Sequence, residues 1–485
     1  MAGTDAFSVE MQLADGQLGI VAPDGSQAVG FIFTSTAGTA NAVVPLSGTD
    51  TDAVIVNFGA GDGPDWVGDY LLTSGGKNAY AVRGTASTAG ANGTATLLSG
   101  TGPTVPTFGG APNEDADVRI KIITTGSQTT ATYQLSLNGG ESYGPTKTVG
   151  AALAMGQGST VTFPTATYTA GAVFGATFTG PRNTLSNVTA AADALIASEY
   201  RFGAIHVFGA PDDAAALATL IAALDAKAEA ARLVGKFFVF FVEAPAVDPA
   251  LISAAIDSIV APNVVVVGGY ARVYDQNDRQ VEKTSNARKI IGRFARNPLS
   301  VSLKRTVDDS TLDPLYADAK AIEPAGAAGT GADGYVNTAK LPGLRTSRCT
   351  TVCTIPGRGG AYVDRSLTLA ALNSDFLDLP NRRIANSGLE VLYDEGWERA
   401  EQRIPRDPTT GFIDETTAKT WEKAAKAKLR TRLVEGGHAT RVSVVINRND
   451  NLASDPVVRM KARAVCVTRA GKIVVNFGFA VAIAA

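Results

Sequence analysis

The chain has 485 residues, with 46 acidic and 43 basic side chains and a formal net charge of −3; that near-balance excludes the basic excess a polyanion-binding protein needs. Charged residues are 18% and aromatics 7%, with 51 Gly and 22 Pro, which excludes collagen-like and disordered chains and suits a protein that covers much of its surface with copies of itself. This length predicts two to four domains.

Residues 1–30 are polar and glycine-punctuated, with one short strand candidate around Leu18 and Ile20, and are expected to form an N-terminal arm. They lack the basic and apolar regions of a secretory signal. No run reaches 18 apolar residues, so no membrane insertion is expected. The run AVIVNF at 53–58 predicts a buried strand, residues 64–73 a short helix, and 78–83 a second strand. Residues 85–112 have the Gly/Ser/Thr/Ala/Pro composition of a linker. The period then changes to two: Val118, Ile120 and Ile122; Tyr133, Leu135 and Leu137 before Asn138-Gly139-Gly140; Val161 and Phe163; Phe174, Ala176 and Phe178. Short alternating strands with Gly/Asn turns predict an antiparallel β-sandwich, inserted over 113–182.

After residue 189 the pattern is α/β. Strands are expected at 202–208, 237–242 and 263–267, with helices at 212–233 and 248–260. In the first helix Leu217, Leu220, Ile221, Leu224, Ala228 and Ala231 keep helical spacing. Strand–helix–strand alternation implies a parallel sheet with right-handed crossovers. Residues 299–345 read as loops. Helices follow at 379–403, with Pro380 in the first turn, and at 414–434, then strands at 441–447, 457–468 and 472–484. The fold class is therefore α/β plus α+β: a parallel α/β domain from 31–112 and 183–345, the inserted sandwich, and a mixed C-terminal domain at 346–485.

Catalytic chemistry is sparse. His206 lies mid-strand in GAIHVFG; a catalytic histidine of an α/β hydrolase or transferase is one reading. A partly buried strand residue is the favoured one, because no G-x-S-x-G elbow accompanies it. His438, after two glycines, is expected in a solvated turn. The glycines near Arg358 and Lys472 lack the remaining residues of a phosphate loop. Asp50/Asp52 and Asp308/Asp309 lack the Gly and Glu of a calcium loop. Three cysteines and two histidines make a poor zinc inventory, so neither metal nor cofactor is expected.

Two features stand out. On the helix 414–434, Lys419, Lys423, Lys426 and Arg430 fall within about 60° of one another. Ala418, Trp421, Ala425, Leu429 and Leu433 form a separate apolar stripe. A solvated face is the simple reading of that ridge and a partner surface the other. At the C-terminal end Ile473, Val475, Phe477, Phe479, Val481 and Ile483 alternate as a strand, more apolar than a free edge should be. It either closes a hairpin on 457–468 or is donated to another copy. Cys349 and Cys353 share a face of an extended segment but sit about 13 Å apart, too far to bond. Cys466 lies in a separate strand. Buried reduced thiols and disulfides between neighbouring copies both remain open for the three.

The run IPGRGGAYVDRSLTLAALNSDFLDLPNRRIANSGLEVLYDEGWERAEQRI resembles the C-terminal domain of contractile-tail sheath proteins of tailed bacteriophages, the Mu-like myophage class. Gly360-Ala361-Tyr362-Val363, Ser374-Asp375-Phe376 and Asn381-Arg382-Arg383 stand in the places of its Gly-x-Tyr-Val, Ser-Asp-Phe and Arg-Arg motifs. VSVVINRNDN, from Val442 to Asn451, and the segment 61–84 continue the resemblance, in order along the chain. It implies a structural virion protein of the tail, assembled in the host bacterial cytoplasm, with no enzymatic activity, nucleic acid or membrane insertion. Its partners would be itself, in six-fold rings stacked helically, the tail tube protein, and the baseplate and tail terminator proteins. Contraction would drive the tube through the host envelope. Arm residues Leu18 and Ile20 and the C-terminal strand would add to neighbours' sheets, and the Lys419–Arg430 ridge would face the tube. The alternatives are the enzyme built on His206, and a self-assembling capsid or surface-layer protein.

Overall fold

A computed structural model describes residues 24–467 except 85–86, 103, 157, 210, 212, 246–247, 276–279, 305–306, 309–310, 313–314, 316–320, 324–347, 356–357, 401, 451, 453 and 455–456. The centre is a six-stranded sheet of β1 (Val29–Phe33), β2 (Val43–Leu46), β3 (Ala79–Arg83), β4 (Ala204–Val207), β5 (Val239–Glu243) and β6 (Val264–Val267), in the order β6-β5-β4-β1-β3-β2. All pairs are parallel except that of edge strand β2 with β3. Helices cover both faces, so β1, β4, β5 and β6 are buried along their whole length and, apart from the paired His206 and Glu243, their sequences run apolar rather than alternating. The helices are α1 (Asp52–Phe58), α2 (Asp62–Thr73), α3 (Leu185–Ala197), α4 (Ala214–Leu233), α5 (Pro249–Ile256) and α6 (Ala287–Arg296). The α4 stripe from Leu217 to Ala231 is buried as its spacing requires, and Asp213 caps its first turn by accepting from the Ala216 N–H at 2.7 Å.

Three sequence expectations are corrected here. The sheet's central strand β1 opens at Val29, inside the segment read as an arm. AVIVNF is helix α1, not a strand. Asp50 accepts from the Asp52 and Ala53 N–H groups at its start, Val54 and Phe58 turn inward at i, i+4, and Val56 stays 82% exposed. A six-residue apolar run fits either period, and the acidic cap decided it. Finally, 85–112 is not a linker. Its strands Ala91–Asn92 and Thr96–Ser99 pair with Val173–Thr179, and Thr107–Gly110 pairs with Ser159–Thr162. Short, exposed, threonine-rich edge strands show no alternation to read.

The sandwich sets a sheet built on Ala116–Thr124, Thr132–Ser136 and Val173–Thr179 against a smaller one of Leu153–Gly156, Ser159–Thr162 and Thr107–Gly110. Val118, Ile120, Ile122, Tyr133, Val161, Phe163, Phe174 and Phe178 fill a core of its own. A stem of Ser87–Thr88 paired with Arg182–Asn183 joins it to the α/β body. A hairpin of Tyr270–Asp275 and Gln280–Ser285 and the helix α6 had no sequence expectation.

The C-terminal domain has helices α7 (Leu379–Arg399) and α8 (Glu415–Leu429) and the antiparallel pair β7 (Ala439–Ile446) and β8 (Met460–Cys466). Pro380 stands in the first turn of α7, where its missing N–H costs nothing. Asp414 caps α8 by accepting from the Thr417 N–H at 2.9 Å. The last turn, Arg430–Val434, widens to a π-helix. No helix among the described residues is long and apolar enough to cross a membrane.

Candidate assembly surface of the C-terminal domain

The face of α7 turned to the α/β body is polar. Arg382 and Arg383 are both buried. Arg382 donates to the side-chain oxygen of Asn263, whose amide donates in turn to Asp225 and Glu229 at 2.9 and 2.8 Å. Arg383 donates to the Asn297 carbonyl at 3.1 Å and lies 4.0 Å over the Phe294 ring. Burial pulls both guanidiniums down, to about 10 and about 9. Two to three turns further along α7, Arg201 holds Asp394 through two hydrogen bonds of 2.8 and 2.6 Å and meets Glu390 at 3.1 Å. Burial nevertheless pushes Glu390 up to about 7, against the pull of Arg201. Arg348 closes the seam from the other side: it donates to the carbonyls of Leu369, Ala370, Ile256, Asp257 and Ile259 at 2.8–2.9 Å. Sequence reasoning named Arg382 and Arg383 only as a motif and missed Arg201, Arg348 and Glu390. The signal available was two adjacent arginines at the start of a helix that turns out to be buried.

The seam fixes how α8 and the β7–β8 pair are presented. The stripe Ala418, Trp421, Ala425, Leu429 and Leu433 is buried, mainly against β7 and α7. The ridge Lys419, Lys423, Lys426 and Arg430 points outward and all four are exposed. Lys419 meets Glu415 at 3.0 Å and Arg430 meets Glu435 at 3.6 Å, both pairs well solvated. Lys428, between them, turns instead to the wholly buried Glu395 at 2.6 Å. Among the described residues β7 and β8 have only each other as neighbours. Their inner side chains Val442 and Val444 pack with Leu429 and Leu433, while Met460, Ala462, Ala464 and Cys466 are only partly covered. Their outer face carries Arg441, Ser443, Val445, Lys461, Arg463 and Val465.

Leu18, Ile20 and the strand Ile473, Val475, Phe477, Phe479 and Val481 lie outside the described residues. Cys349 is wholly buried in the main core, as a small apolar side chain would be. Cys353 stands opposite Tyr362 in a short ladder, and Cys466 is half-buried at the end of β8.

His206 is fully buried, with Nε2 3.1 Å from Glu243 Oε1 and its ring between those of Phe31 and Trp66. Nothing the size of a substrate reaches it. His438 is not in a solvated turn: it is half-buried, its Nδ1 lies 3.0 Å from Ser300 Oγ, and burial with Arg383 and Arg432 holds it below the usual imidazole range. Among the described residues no cluster of His, Cys, Asp and Glu could hold a metal. A cavity of about 10 Å³ at the α7 seam, between Gly203, Arg383, Ser387 and Glu390, has room for one water.

Residues 7–366 match the profile of the DUF2586 N-terminal domain. No curated protein matches the chain. Among solved structures, the helical sheath of the anti-feeding prophage in its contracted state aligns with a TM-score of 0.50 and 10% identity, over 98% of this chain and 99% of that one. A sheath tail protein of Desulfitobacterium hafniense aligns at 0.47 and 14% identity, covering 96% and 100%. One of Listeria innocua aligns at 0.45 and 15%, covering 90% of each chain. The likeness to the prophage sheath is one of fold, and it runs from end to end of both chains.

Proposed function

The chain belongs to the DUF2586 family, and we propose that it is the subunit of a contractile tail sheath. In this reading it is a structural protein without a catalytic centre. Its copies stack helically in six-fold rings around a tail tube, between baseplate and tail terminator, as part of a virion tail assembled in a bacterial cytoplasm. Contraction drives the tube through the host envelope. The observation that carries the reading is the end-to-end fold shared with a helical sheath. Among the described residues β7 and β8 pair only with each other, an arrangement that a strand from another copy would extend. Strand addition is energetically reasonable. Backbone hydrogen bonds at about 0.5–1.5 kcal/mol each roughly offset ordering of the added segment at about 1–2 kcal/mol per residue. Apolar anchors at about 1.5–3 kcal/mol each then decide the balance.

The experiment is deletion of residues 1–22 and, separately, of 472–485, followed by electron microscopy of the purified protein. Each truncated chain is expected to fold but to form no long tubes. Tubes of normal length from both deletions would contradict exchange of terminal strands. The N-terminal deletion is the cleaner arm, since the C-terminal segment also fits a hairpin within its own chain.

A further inference from the structure

The seam between α7 and the α/β body carries buried polar atoms that no described protein group meets. Arg383, Asn386, Ser387 and Glu390 follow one another at i, i+3, i+4 and i+7, so they form one stripe of α7. All four are more than nine-tenths buried, and all four line the cavity of about 10 Å³, whose other walls include Gly203, Phe237 and Leu299. Among the described residues Arg383 Nε, Asn386 Oδ1 and Ser387 Oγ have no hydrogen-bond partner. The terminal nitrogens of Arg383 are taken up by the carbonyls of Asn297 and Pro298, at 3.1 and 3.4 Å. Ser387 does not turn its hydroxyl back on the carbonyl four residues earlier, as a serine inside a helix commonly does. Glu390 meets Arg201 through one carboxyl oxygen at 3.1 Å.

Buried polar groups are paired in nearly every case, by protein or by ordered water, so three orphaned atoms around one small cavity mark a site. The donors and acceptors select its occupant. Arg383 Nε–H can only donate and Asn386 Oδ1 can only accept, while the Ser387 hydroxyl can do either. The Glu390 carboxyl accepts when ionised and also donates when protonated. An anion needs donors on every side and would meet Asn386 Oδ1 and Glu390. A metal cation needs acceptors on every side and would meet a guanidinium. Water donates and accepts, and the volume suits one molecule.

We propose that this cavity is a binding site for one ordered water, which accepts from Arg383 Nε, donates to Asn386 Oδ1 and is shared with Ser387 and Glu390. The water joins groups that must change partners together. Burial pushes Glu390 up to about 7, so it gains and loses its proton in the neutral range. Ionised, Glu390 needs donors; protonated, its O–H needs an acceptor, which the cationic Arg201 cannot be. A water in contact with it turns to serve either form, whereas a guanidinium serves only one. The site therefore lets the seam between α7 and the α/β body keep its hydrogen bonds on both sides of neutral pH. It stands on the fold of one chain and holds whether or not copies of the chain assemble.

The test is an experimental structure of the full-length protein at a resolution that shows ordered waters, at about pH 5.5 and about pH 8.5. One peak with roughly two to four polar neighbours is expected in the cavity at both values. No peak there overturns the proposal, and so does an anomalous peak after exchange into bromide, which would assign the site to an anion. A second arm compares Ser387→Val, which places a methyl group in the water's space, with Ser387→Ala, which leaves that space open. The pH profile of unfolding reads Glu390. Ser387→Val should move its midpoint upward by about one pH unit, because the ionised carboxylate loses a donor. Ser387→Ala should move it by less than about half of that, and neither should move the profile of Glu390→Gln. A midpoint that stays in place in Ser387→Val, or moves equally in both variants, overturns the link from the water to Glu390. Should Ser387→Val fail to fold, the native structure and Ser387→Ala still decide, since a peak in the first that vanishes in the second also contradicts a site with three other partners.

Discussion

Arg348 has φ 61°, a left-handed conformation that a non-glycine residue adopts at a cost. Its five carbonyl acceptors repay that, since three belong to the C-terminal end of α5 and the turn after it, where carbonyls lack helical partners. Arg348→Ala should therefore lose on the order of 3 kcal/mol or more in denaturant unfolding, and Arg348→Lys most of that, because an ammonium cannot reach five oxygens. A loss under about 1 kcal/mol would show that water replaces the guanidinium. Glu390 gives a prediction in pH. Its folded value, about 7, lies above the 4.5 of a free glutamate. The folded state therefore binds the proton more tightly, and this contribution is full below about pH 4.5 and lost as pH rises through 7. Between pH 5 and pH 8 native protein should lose roughly 2–3 kcal/mol relative to Glu390→Gln, which carries no titrating group there. Parallel pH profiles for the two would contradict the raised value. Neither residue was legible in the sequence. TSRCTT and SGLEVL contain nothing to mark a buried charge, because burial of Arg348 and Glu390 is set by elements 90–200 positions away in the chain, Ile256 and Arg201.

At the scale of elements, α8 was readable nearly residue by residue: apolar stripe and basic residues stand on the faces where 100° spacing places them. A helix presenting exposed cations on one side and packing by the other is suited to a contact that forms and releases, because solvated charge pairs are screened and reversible. Reversing Lys419, Lys423, Lys426 and Arg430 to Glu should leave the unfolding transition within about 1 kcal/mol of native, since the two ion pairs lost are surface pairs. The reversed protein should still self-assemble, yet fail to enclose tail tube on co-expression. Normal co-assembly at low and moderate salt alike would make the ridge a solvated face only. Elements that departed from expectation did so for two physical reasons. The α1 run was too short for its period to distinguish helix from strand. The strands between 91 and 110 are short, mostly exposed edge strands of a small sandwich, with Phe108 packed on Phe178, so no apolar alternation marks them.

At the scale of the molecule, the α/β body was legible because β6 is apolar throughout, β5 is apolar up to its last residue, Glu243, and α4 is long and regular. The proposed assembly was not, because contacts between copies leave no local pattern in one chain. The chain's low charge accords with a surface covered by copies of itself. The most direct measurement is electron microscopy of the purified full-length protein, with helical reconstruction of whatever it forms. The sheath account expects hollow cylinders of six-fold symmetry with a lumen wide enough for a tube, each β7–β8 pair extended by strands from neighbouring copies. Isolated particles at high concentration, or flat lattices, would contradict it.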